Sequence, residues 1–348
     1  MKQKKTPLIL GIETSCDETS VAVYCEQKTD NPVDNVLSNV TFSQIDLHKK
    51  FGGVVPEIAS RGQLEKINII TQEALDTANI TLDDIDVVAV SYKPGLPGSL
   101  LVGICFAKSI AAAKQKKLIG VNHLEAHAYS SFLEHNVPFK HICLTASGGH
   151  TSLCLMKNFG NYDIIGYTID DAAGEAFDKI AKLLRLPYPG GPEIEKLARE
   201  VDFQDFFSYP RGKLKNLNFS FSGLKTAVLY DLVERGAYDM AAKKLLDNSL
   251  QLKQKVASSL LVCIADIFEQ RLKRACKQHP DISSISLVGG VACNKYLRRR
   301  LQTFCDNNNL KFFTPSPKFC TDNAAMIAFV GNYKTKAGEF SDLYLDIF

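Results

Sequence analysis

Two histidines in the segment His123-Leu124-Glu125-Ala126-His127 have the spacing of a metal-binding pair. Residues at i and i+4 share one face of a helix, so both imidazoles can bind the same ion. A metal needs further ligands, and Asp322, at the start of a predicted helix near the end of the sequence, is a candidate. The alternatives are exposed histidines at a helix start and an aspartate that only caps a helix.

The same segment differs from the zinc peptidase pattern H-E-x-x-H, in which glutamate directly follows the first histidine. Here Glu125 is two residues after His123, which places it about 200° around the helix. Its carboxylate then faces away from the metal, and the geometry that activates a water molecule is missing. The spacing therefore argues against a zinc peptidase.

Four turns rich in small residues follow predicted strands. Two of them connect hairpins, at residues 14–19 and at Ser147-Gly148-Gly149-His150-Thr151, and two follow later strands, at Pro94-Gly95 and Gly289-Gly290. Glycine lets the backbone turn sharply and present N–H groups to an anion. Four such turns favour a nucleotide site, although glycine also ends strands in α/β proteins that bind nothing there.

Two common nucleotide-binding patterns are absent from the sequence. There is no P-loop G-x-x-x-x-G-K-[ST], and no G-x-G-x-x-G follows the first strand, which argues against a Rossmann dinucleotide fold. In the first turn, Asp17 offers a carboxylate for holding a metal, orienting water or acting as a base. The alternative is an Asx-type turn residue.

The hydrophobic pattern predicts a scaffold that occurs twice along the chain. Its first copy has strands at 8–13, 20–24, 36–42, 87–92 and 118–121 and helices at 65–78, 99–114 and 124–134. Its second copy has strands at 142–146, 151–156, 164–169, 283–288 and 311–313 and helices at 173–184, 221–277, 296–307 and 323–336. This pattern predicts an α/β fold of two duplicated lobes around a nucleotide cleft.

Length and composition agree with a two-domain protein. The first lobe is predicted at 1–122 plus about 323–348, and the second at about 123–322 with a mostly helical insertion near 187–250. The apolar fraction of 45% and charged fraction of 23% exclude a disordered or fibrous chain, and a net charge of +3 does not by itself indicate a nucleic-acid binder. The ten cysteines include no C-x-x-C spacing, and no apolar stretch approaches the roughly 20 residues of a membrane span. The sequence predicts a cytoplasmic protein with reduced thiols.

Nine segments together resemble one family, the bacterial branch of the tRNA threonylcarbamoyladenosine synthase catalytic subunit, called TsaD or Gcp and formerly O-sialoglycoprotein endopeptidase. The resemblance runs from about Leu8 to the final helix, and its motifs are long and jointly specific. The segments are GIETSCDET (11–19), FGGVVPE (51–57), HLEAH (123–127), SGGHT (147–151), DAAGEAFD (171–178), YPGGP (188–192), FSFSGLKT (219–226), GGVACN (289–294) and TDNAAM (321–326).

The resemblance implies two actin/Hsp70/sugar-kinase-like, or ribonuclease H-like, lobes, in agreement with the predicted duplication. It implies transfer of a threonylcarbamoyl group from threonylcarbamoyl-AMP to N6 of the adenosine 3′ to the anticodon, position 37. The tRNAs concerned read codons that begin with A, and the products are t6A and AMP. It also implies one divalent metal ion, Fe(II) or alternatively Zn(II), held by His123, His127 and Asp322.

Carried over position by position, the resemblance assigns roles to further residues. Asp17 is expected to accept the proton that the attacking adenine amine loses as the acyl bond forms. Asp178 is expected to hold a ribose hydroxyl, and the amides of residues 147–149 to stabilise developing charge. The residues expected at the adenylate are Thr145, Ala146, Ser147, Gly148, Gly149, Asp178, Gly191 and Asn294.

The family pattern also implies partners. Bacterial members work on tRNA with an inactive homologous subunit (TsaB-like) and a small P-loop ATPase (TsaE-like), and the helices near 65–78 and 99–114 are the expected heterodimer face. Two positions depart from the pattern: Lys93 stands where glycine is usual, and Gly62-Gln63 stands where histidine is common. Basic clusters occur at 2–5, 114–117, 211–215 and 295–300. Their side chains either contact phosphates or are only solvated surface.

Two other functions stay open on the residues alone. A phosphotransferase or ATPase of the same fold superfamily shares the glycine turns and Asp17 but gives no reason for His123, His127 and Asp322 to converge. A non-catalytic scaffold of a tRNA-modifying assembly has no need to retain these four side chains. The residues therefore favour the transferase.

Overall fold

The computed structural model describes residues 6–27, 29–212 and 214–347. The described residues form two compact units. The first unit contains the residues up to Val137 and those from Pro315 onward, and the second is Pro138–Thr314. The lobe limits expected from the sequence, near 122 and 322, fall inside the first unit and stay a prediction.

The sheet of the first unit begins with an antiparallel meander of β1 (Leu8–Glu13), β2 (Glu18–Cys25) and β3 (Val36–Ser43). Every residue of β1 after Leu8 is buried, which is typical of a strand that helices cover on both faces. Strand β1 pairs in parallel with β4 (Val87–Lys93), and β4 with β5 (Lys117–Asn122). The resulting order is β3-β2-β1-β4-β5.

Four helices of the first unit are α1 (Ile45–Lys49), α2 (Pro56–Ala78), α3 (Pro97–Ala113) and α4 (His123–Tyr129). Prolines begin α2 and α3, where the fixed φ suits the helix and the missing N–H leaves no bond unmade. Helix α2 therefore starts at Pro56 instead of residue 65. The helix predicted over 124–134 is α4 followed by a 3₁₀ turn, Ser130–Leu133.

The described residues of the second unit form seven strands and five α-helices. Its strands are β6 (His141–Ala146), β7 (Thr151–Asn158), β8 (Asn161–Tyr167), β9 (Tyr238–Asp239), β10 (Lys244–Leu245), β11 (Ser284–Val288) and β12 (Lys311–Phe313). Its helices are α5 (Ala173–Leu183), α6 (Gly190–Arg199), α7 (Ser222–Glu234), α8 (Leu250–Gln278) and α9 (Lys295–Asn307). The helical segment expected over 221–277 is two helices, because α7 ends before Gly236, which has a φ of 67°, and the β9–β10 pair follows.

The main sheet of the second unit repeats that of the first. Read from one edge its order is β8-β7-β6-β11-β12, which matches β3-β2-β1-β4-β5 strand for strand. In both sheets the first three strands in sequence are antiparallel neighbours and the last two continue in parallel. The duplicated α/β fold predicted from the sequence is confirmed at the level of strand order.

The chain returns to the first unit with α10 (Pro317–Cys320) and α11 (Ala324–Ala337). Helix α11 packs against β1 and β2. The approach is close enough that a Cβ atom at Gly11 would lie 2.4 Å from the carbonyl oxygen of Ala324. The C-terminal helix is therefore part of the core that supports the N-terminal strand.

Neither a membrane span nor a disulfide occurs among the described residues. No helix there combines the length and the apolar character that crossing a bilayer requires. Each of the ten cysteines lies in the described part of the chain, and none is bonded to another. Several of them, such as Cys143 in β6 and Cys263 in α8, are buried in the core, where they behave as small apolar side chains.

Candidate functional site

The histidine pair lies at the start of α4, on its buried side. The side chain of Asn122 caps this helix, because its Oδ1 accepts hydrogen bonds from the amides of Leu124 (2.9 Å) and Glu125 (3.2 Å). The rings of His123 and His127 are both buried, with centroids 4.6 Å apart and planes at 86°. The alternative of two exposed histidines at a helix start is therefore wrong.

Asp322 completes a three-residue cluster with these histidines. Its Oδ1 lies 2.9 Å from Nε2 of His127 and 3.6 Å from Nε2 of His123. Asn323, not Asp322, caps the helix that follows, since the Asn323 side chain accepts from the amide of Met326 at 3.1 Å. The Asp322 carboxylate therefore serves the cluster and not the helix end.

The donor set fits one divalent metal ion. The three residues offer ligand atoms that all lie within 4.8 Å of one another. Two metal–ligand bonds of about 2.1 Å can join atoms up to about 4.2 Å apart, and both Nε2–Oδ1 distances fall within that limit. Two imidazoles and one carboxylate leave further coordination positions for a substrate or water, as in mononuclear iron and zinc enzymes.

Glu13, at the end of β1, is a functional residue that the sequence analysis missed. Its side chain is buried, and its Oε2 lies 3.0 Å from Nδ1 of His123. Oε1 accepts a hydrogen bond from the Ser15 amide at 2.5 Å. A carboxylate on the outer nitrogen of a ligating histidine fixes the ring and its tautomer, so Glu13 turns Nε2 of His123 toward Asp322.

Negative charge accumulates around this cluster. Burial opposes protonation of His123, but the Glu13 and Asp322 carboxylates outweigh it and raise the pKa of His123 to about 9. Burial first, and then Asp322, Asp17 and Glu13, raise the pKa of Glu18 well above its usual range. Four carboxyl groups thus influence one another in the first unit, and a bound cation would offset their repulsion.

The Glu125 side chain is not a member of the cluster. Its Oε2 lies 3.6 Å from Nζ of Lys334 on α11, and burial raises the pKa of this carboxyl while Lys334 lowers it. The cluster consists instead of His123, His127 and Asp322. The structure thus agrees with the spacing argument against the water-activating glutamate of a zinc peptidase.

Asp17 lies in the β1–β2 turn, which one buried amide holds in place. Nε2 of Gln63 donates to the carbonyl oxygens of Cys16 (2.9 Å) and Glu18 (3.0 Å), the neighbours of Asp17 on either side. The Ser15 carbonyl accepts from the Leu96 amide at 2.7 Å. Asp17 is 7% exposed, and, after burial, its charge is one of the causes that raise the pKa of Glu18.

The 147–150 turn of the second unit presents free backbone amides. The Ser147 amide donates to the His150 carbonyl at 2.8 Å, and the His150 amide donates to Ser147 Oγ at 3.1 Å. Gly148 and Gly149 between them are exposed, and neither amide has a partner among the residues described. Such a turn can bind an anion. Thr145 and Ala146, by contrast, are buried within β6.

Two glycines allow neighbouring segments of the second unit to approach this turn closely. Gly289, with a φ of 90°, follows β11 so closely beside β6 that its Cβ would lie 2.4 Å from the Ala146 carbonyl oxygen. At the start of α5, the Gly174 amide donates to the Ser147 carbonyl at 3.2 Å. The ends of β6 and β11 and the start of α5 therefore meet at one edge of the second unit.

Asp178 and Asn294 each make a structural hydrogen bond. Oδ1 of Asp178 accepts from the Gly190 amide at 2.7 Å, and Oδ1 of Asn294 caps α9 by accepting from the Leu297 amide at 2.9 Å. A Cβ on Gly191 would meet no atom within 4 Å. Their expected contacts with an adenylate stay a prediction.

Several cations of the predicted basic clusters are engaged within the protein. Lys114 pairs with Asp83 at 2.7 Å. Arg300 pairs with Asp266 at 2.8 Å and with Glu269 at 2.7 Å, and Arg211 pairs with Asp205 and Asp266. Arg300 thus joins α9 to α8, whereas Arg211 joins the loop before α7 to α8. Lys2, Lys4, Lys5 and Lys213 lie outside the described residues.

The sequence comparisons agree with one another, and each of them covers most of the chain. A family model described as "TsaD: tRNA N6-adenosine threonylcarbamoyltransferase" matches residues 35–329. The tRNA N6-adenosine threonylcarbamoyltransferase of Thermosipho africanus is 45% identical over 342 residues, which cover 97% of this chain and 98% of that protein. The protein of the same name from Thermodesulfovibrio yellowstonii is 47% identical over 341 residues, with coverage of 97% and 98%.

Solved structures show the fold at low sequence identity. Full-length HypF in its phosphate- and nucleotide-bound form has a TM-score of 0.63 at 15% identity, and the match covers 97% of this chain and 48% of HypF. Component A of the Acidaminococcus fermentans (R)-2-hydroxyglutaryl-CoA dehydratase has a TM-score of 0.51 at 14% identity, with coverage of 95% and 100%. This chain has the actin/Hsp70/sugar-kinase-like fold, and by the extent of its sequence similarity it belongs to the tRNA N6-adenosine threonylcarbamoyltransferase (TsaD) family.

Proposed function

We propose that this chain is a metal-dependent acyltransferase that makes t6A at position 37 of tRNAs reading codons that begin with A. The bond between the carbamoyl carbon and the phosphate of threonylcarbamoyl-AMP breaks, and a bond from that carbon to N6 of adenosine 37 forms. AMP leaves, and the amine loses one proton. The observation that carries the proposal is the convergence of His123, His127 and Asp322 in a member of this family.

The proposed cofactor is one Fe(II) ion, with Zn(II) as the alternative. Two imidazoles and one carboxylate are a common ligand set for Fe(II), and they also suit Zn(II). When bound, the ion would act as a Lewis acid toward carbonyl or phosphate oxygens of the adenylate. The contribution of the protein is to present both Nε2 atoms and the Asp322 carboxylate, with Glu13 fixing the ring of His123.

Asp17 is the proposed acceptor of the proton from the adenine amine. The Gln63 amide fixes the backbone on both sides of it, which suits a base that must be held in position. The neighbouring Cys16 is a poor competitor as a nucleophile. Burial, followed by the Asp17 and Asp322 charges, raises the pKa of its thiol far above the ordinary value, which disfavours the reactive thiolate.

The proposed adenylate residues belong to the second unit. The amides of Gly148 and Gly149 have no partner among the described residues, and they are suited to bind phosphate oxygens or stabilise developing charge. Asp178 keeps a carboxylate oxygen, Oδ2, without a described hydrogen-bond partner, and this atom can accept a bond from a ribose hydroxyl. The open space at Gly191 is suited to the close approach of a ligand.

The proposed partners are tRNA, a TsaB-like inactive homologous subunit and a small TsaE-like P-loop ATPase. Apolar side chains stand exposed on the two helices expected at the heterodimer face. Leu64 and Ile69 on α2 are 67% and 58% exposed, and Leu101 on α3 is 44% exposed. Helices α2 and α3 pack against each other. Such side chains favour a protein partner at this surface.

Nucleoside mass spectrometry of tRNA tests the proposal. The full chain and its partners are incubated with threonylcarbamoyl-AMP and unmodified tRNA, beside Asp322→Ala and the control Asp83→Ala, whose carboxylate is on the surface. We expect t6A from the intact chain and from the control only. Product from all three proteins would remove the metal from the mechanism. No product from any of them, together with ATP hydrolysis by the purified chain without its partners, would favour an ATPase.

A further inference from the structure

A cavity of about 490 Å³ opens on the second unit between α5, α7 and the β9–β10 pair. Five of its lining side chains are cationic, and the others are Leu183, Leu245 and the phenol of Tyr238. The cations come from α5, the turn that follows it, α7 and the turn before β10, and they are Lys179, Lys182, Arg185, Lys225 and Lys243. We name this set the basic cavity.

Little of this positive charge is neutralised by the protein. Nζ of Lys179 lies 2.7 Å from Asp171 Oδ1 and 2.8 Å from Glu175 Oε1. The four other cations form no ion pair with any residue of the described chain. Folding therefore gathers like charges around a concave surface, where their positive potential is concentrated and attracts an anion.

Two consecutive aspartates fix the helices that carry these cations. Asp170 accepts hydrogen bonds from the amides of Phe221 (2.8 Å) and Ser222 (3.2 Å) and from the Ser222 hydroxyl (3.0 Å). It thereby caps the start of α7, whose first turn contains Lys225. Asp171 holds Lys179 on α5. The FSFSGLKT motif, to which the proposed chemistry gives no role, thus serves to place a lysine in the cavity.

We propose that the basic cavity binds backbone phosphates of the tRNA substrate. The inference rests on the proposed function, since that function supplies an RNA. Lys182, Arg185 and Lys243 are exposed, and long cationic side chains in this state bind phosphate charge without reading sequence. The spread of the cations over several segments suits a chain of phosphates better than a single small anion. Tyr238 offers a ring on which an unpaired base can stack.

The test measures binding of an unmodified tRNA transcript to the full chain by fluorescence anisotropy over a range of KCl concentrations. The Lys182→Gln/Lys225→Gln variant removes two cavity charges, and Lys182→Arg/Lys225→Arg retains them. The control is Lys273→Gln/Lys277→Gln, which removes two exposed charges of α8 outside the cavity.

We expect the cavity glutamine variant to bind about tenfold more weakly near physiological salt and to lower the slope of log K against log[salt] by about 1.5, since each lost phosphate contact contributes about 0.7–0.9. The arginine variant and the α8 control are expected to match the wild type. A wild-type affinity and slope in the cavity glutamine variant would overturn the proposal. Equal losses in the α8 control, or no tRNA binding by the wild type, would overturn it as well.

The same preparations separate this inference from the proposed function. If the wild-type chain forms t6A with its partners while the cavity glutamine variant binds tRNA normally, the cavity proposal fails and the function stands. If the wild type forms no t6A, the function fails. A variant that binds tRNA normally but no longer binds a partner protein would assign the cavity to that protein and would also overturn the RNA proposal.

Discussion

Glu13 and His123 are 110 residues apart in sequence, yet Oε2 of one lies 3.0 Å from Nδ1 of the other. The contact joins the end of β1 to the start of α4, and both side chains are buried. It leaves Nε2 of His123 directed at Asp322. The orientation of the proposed ligand set therefore depends on a residue that does not itself belong to that set.

Replacing Glu13 with glutamine should weaken metal binding by about 10- to 100-fold, as is usual when the partner of a ligating histidine is lost. The amide keeps the size of the side chain but removes its charge. Metal content after dialysis and titration calorimetry measure the effect. Glu57→Gln on the surface of α2 is the matched control. Unchanged metal affinity in Glu13→Gln would contradict the orienting role.

Replacing Gln63 with leucine should lower kcat by about 10- to 100-fold while the KM for tRNA changes little, because a displaced catalytic group loses rate before binding. It should also destabilise the fold by about 1–3 kcal/mol, since buried carbonyls lose their donor. Gln63→His, which supplies the side chain common in the family, keeps an N–H donor and should recover much of the rate. Steady-state kinetics and thermal unfolding are the measurements, and a loss confined to KM would contradict this interpretation.

Replacing Gly11 with alanine should destabilise the protein by about 1–3 kcal/mol, the usual effect of overpacking a core. The new methyl group would meet the Ala324 carbonyl oxygen at 2.4 Å and push α11 from β1. Gly223→Ala is the control, because a Cβ there meets no atom within 4 Å. A melting temperature of Gly11→Ala equal to that of the wild type would show that α11 adjusts freely.

His141 should make stability fall as the pH falls below about 6.5. Burial lowers its pKa from 6.5 to about 4, although its hydrogen bond to the Pro138 carbonyl acts in the opposite direction. Between these two values the unfolded chain binds the proton and the folded chain does not, so this stability is present above the unfolded pKa and is lost on acidification. His141→Gln should flatten the profile by at most about 1.4 kcal/mol per pH unit. Unfolding at about pH 7 and about pH 5 compares the two proteins, and parallel profiles would refute the assignment.

The parts of the site that could be predicted from sequence are those with a local signature. The i, i+4 spacing places His123 and His127 on one helix face whatever surrounds the helix. Glu13 has no such signature, because a single acid at the end of an apolar strand is equally compatible with a solvated turn. Only the packing of β1 beside α4 gives it a histidine partner. The position of Asp322 at the start of a predicted helix makes it a candidate ligand but equally a helix cap, and it is the family resemblance that favours the ligand.

Closeness of basic residues in the sequence was a poor guide to where unpaired positive charge collects in the folded protein. Two of the clusters visible in the sequence contain Arg211 and Arg300, both of which pair with Asp266 on α8. The cations of the basic cavity are scattered along the chain, and Lys225 lies in the first turn of α7, which Asp170 caps. Runs of basic residues therefore failed to indicate the concentration of unpaired charge, which depends on tertiary structure.

The distance of 195 residues between His127 and Asp322 has a consequence for biosynthesis. The whole second unit is translated between them, and a ribosome adding about 5–20 residues per second needs roughly 10–40 s for that interval. During that interval the nascent chain contains His123 and His127 but not Asp322, and β1 lacks its packing against α11. Completion of the proposed ligand set and closure of the first core therefore both wait until residues 322–337 have been translated, and a ribosome that stalls within the second unit releases a product with an incomplete ligand set.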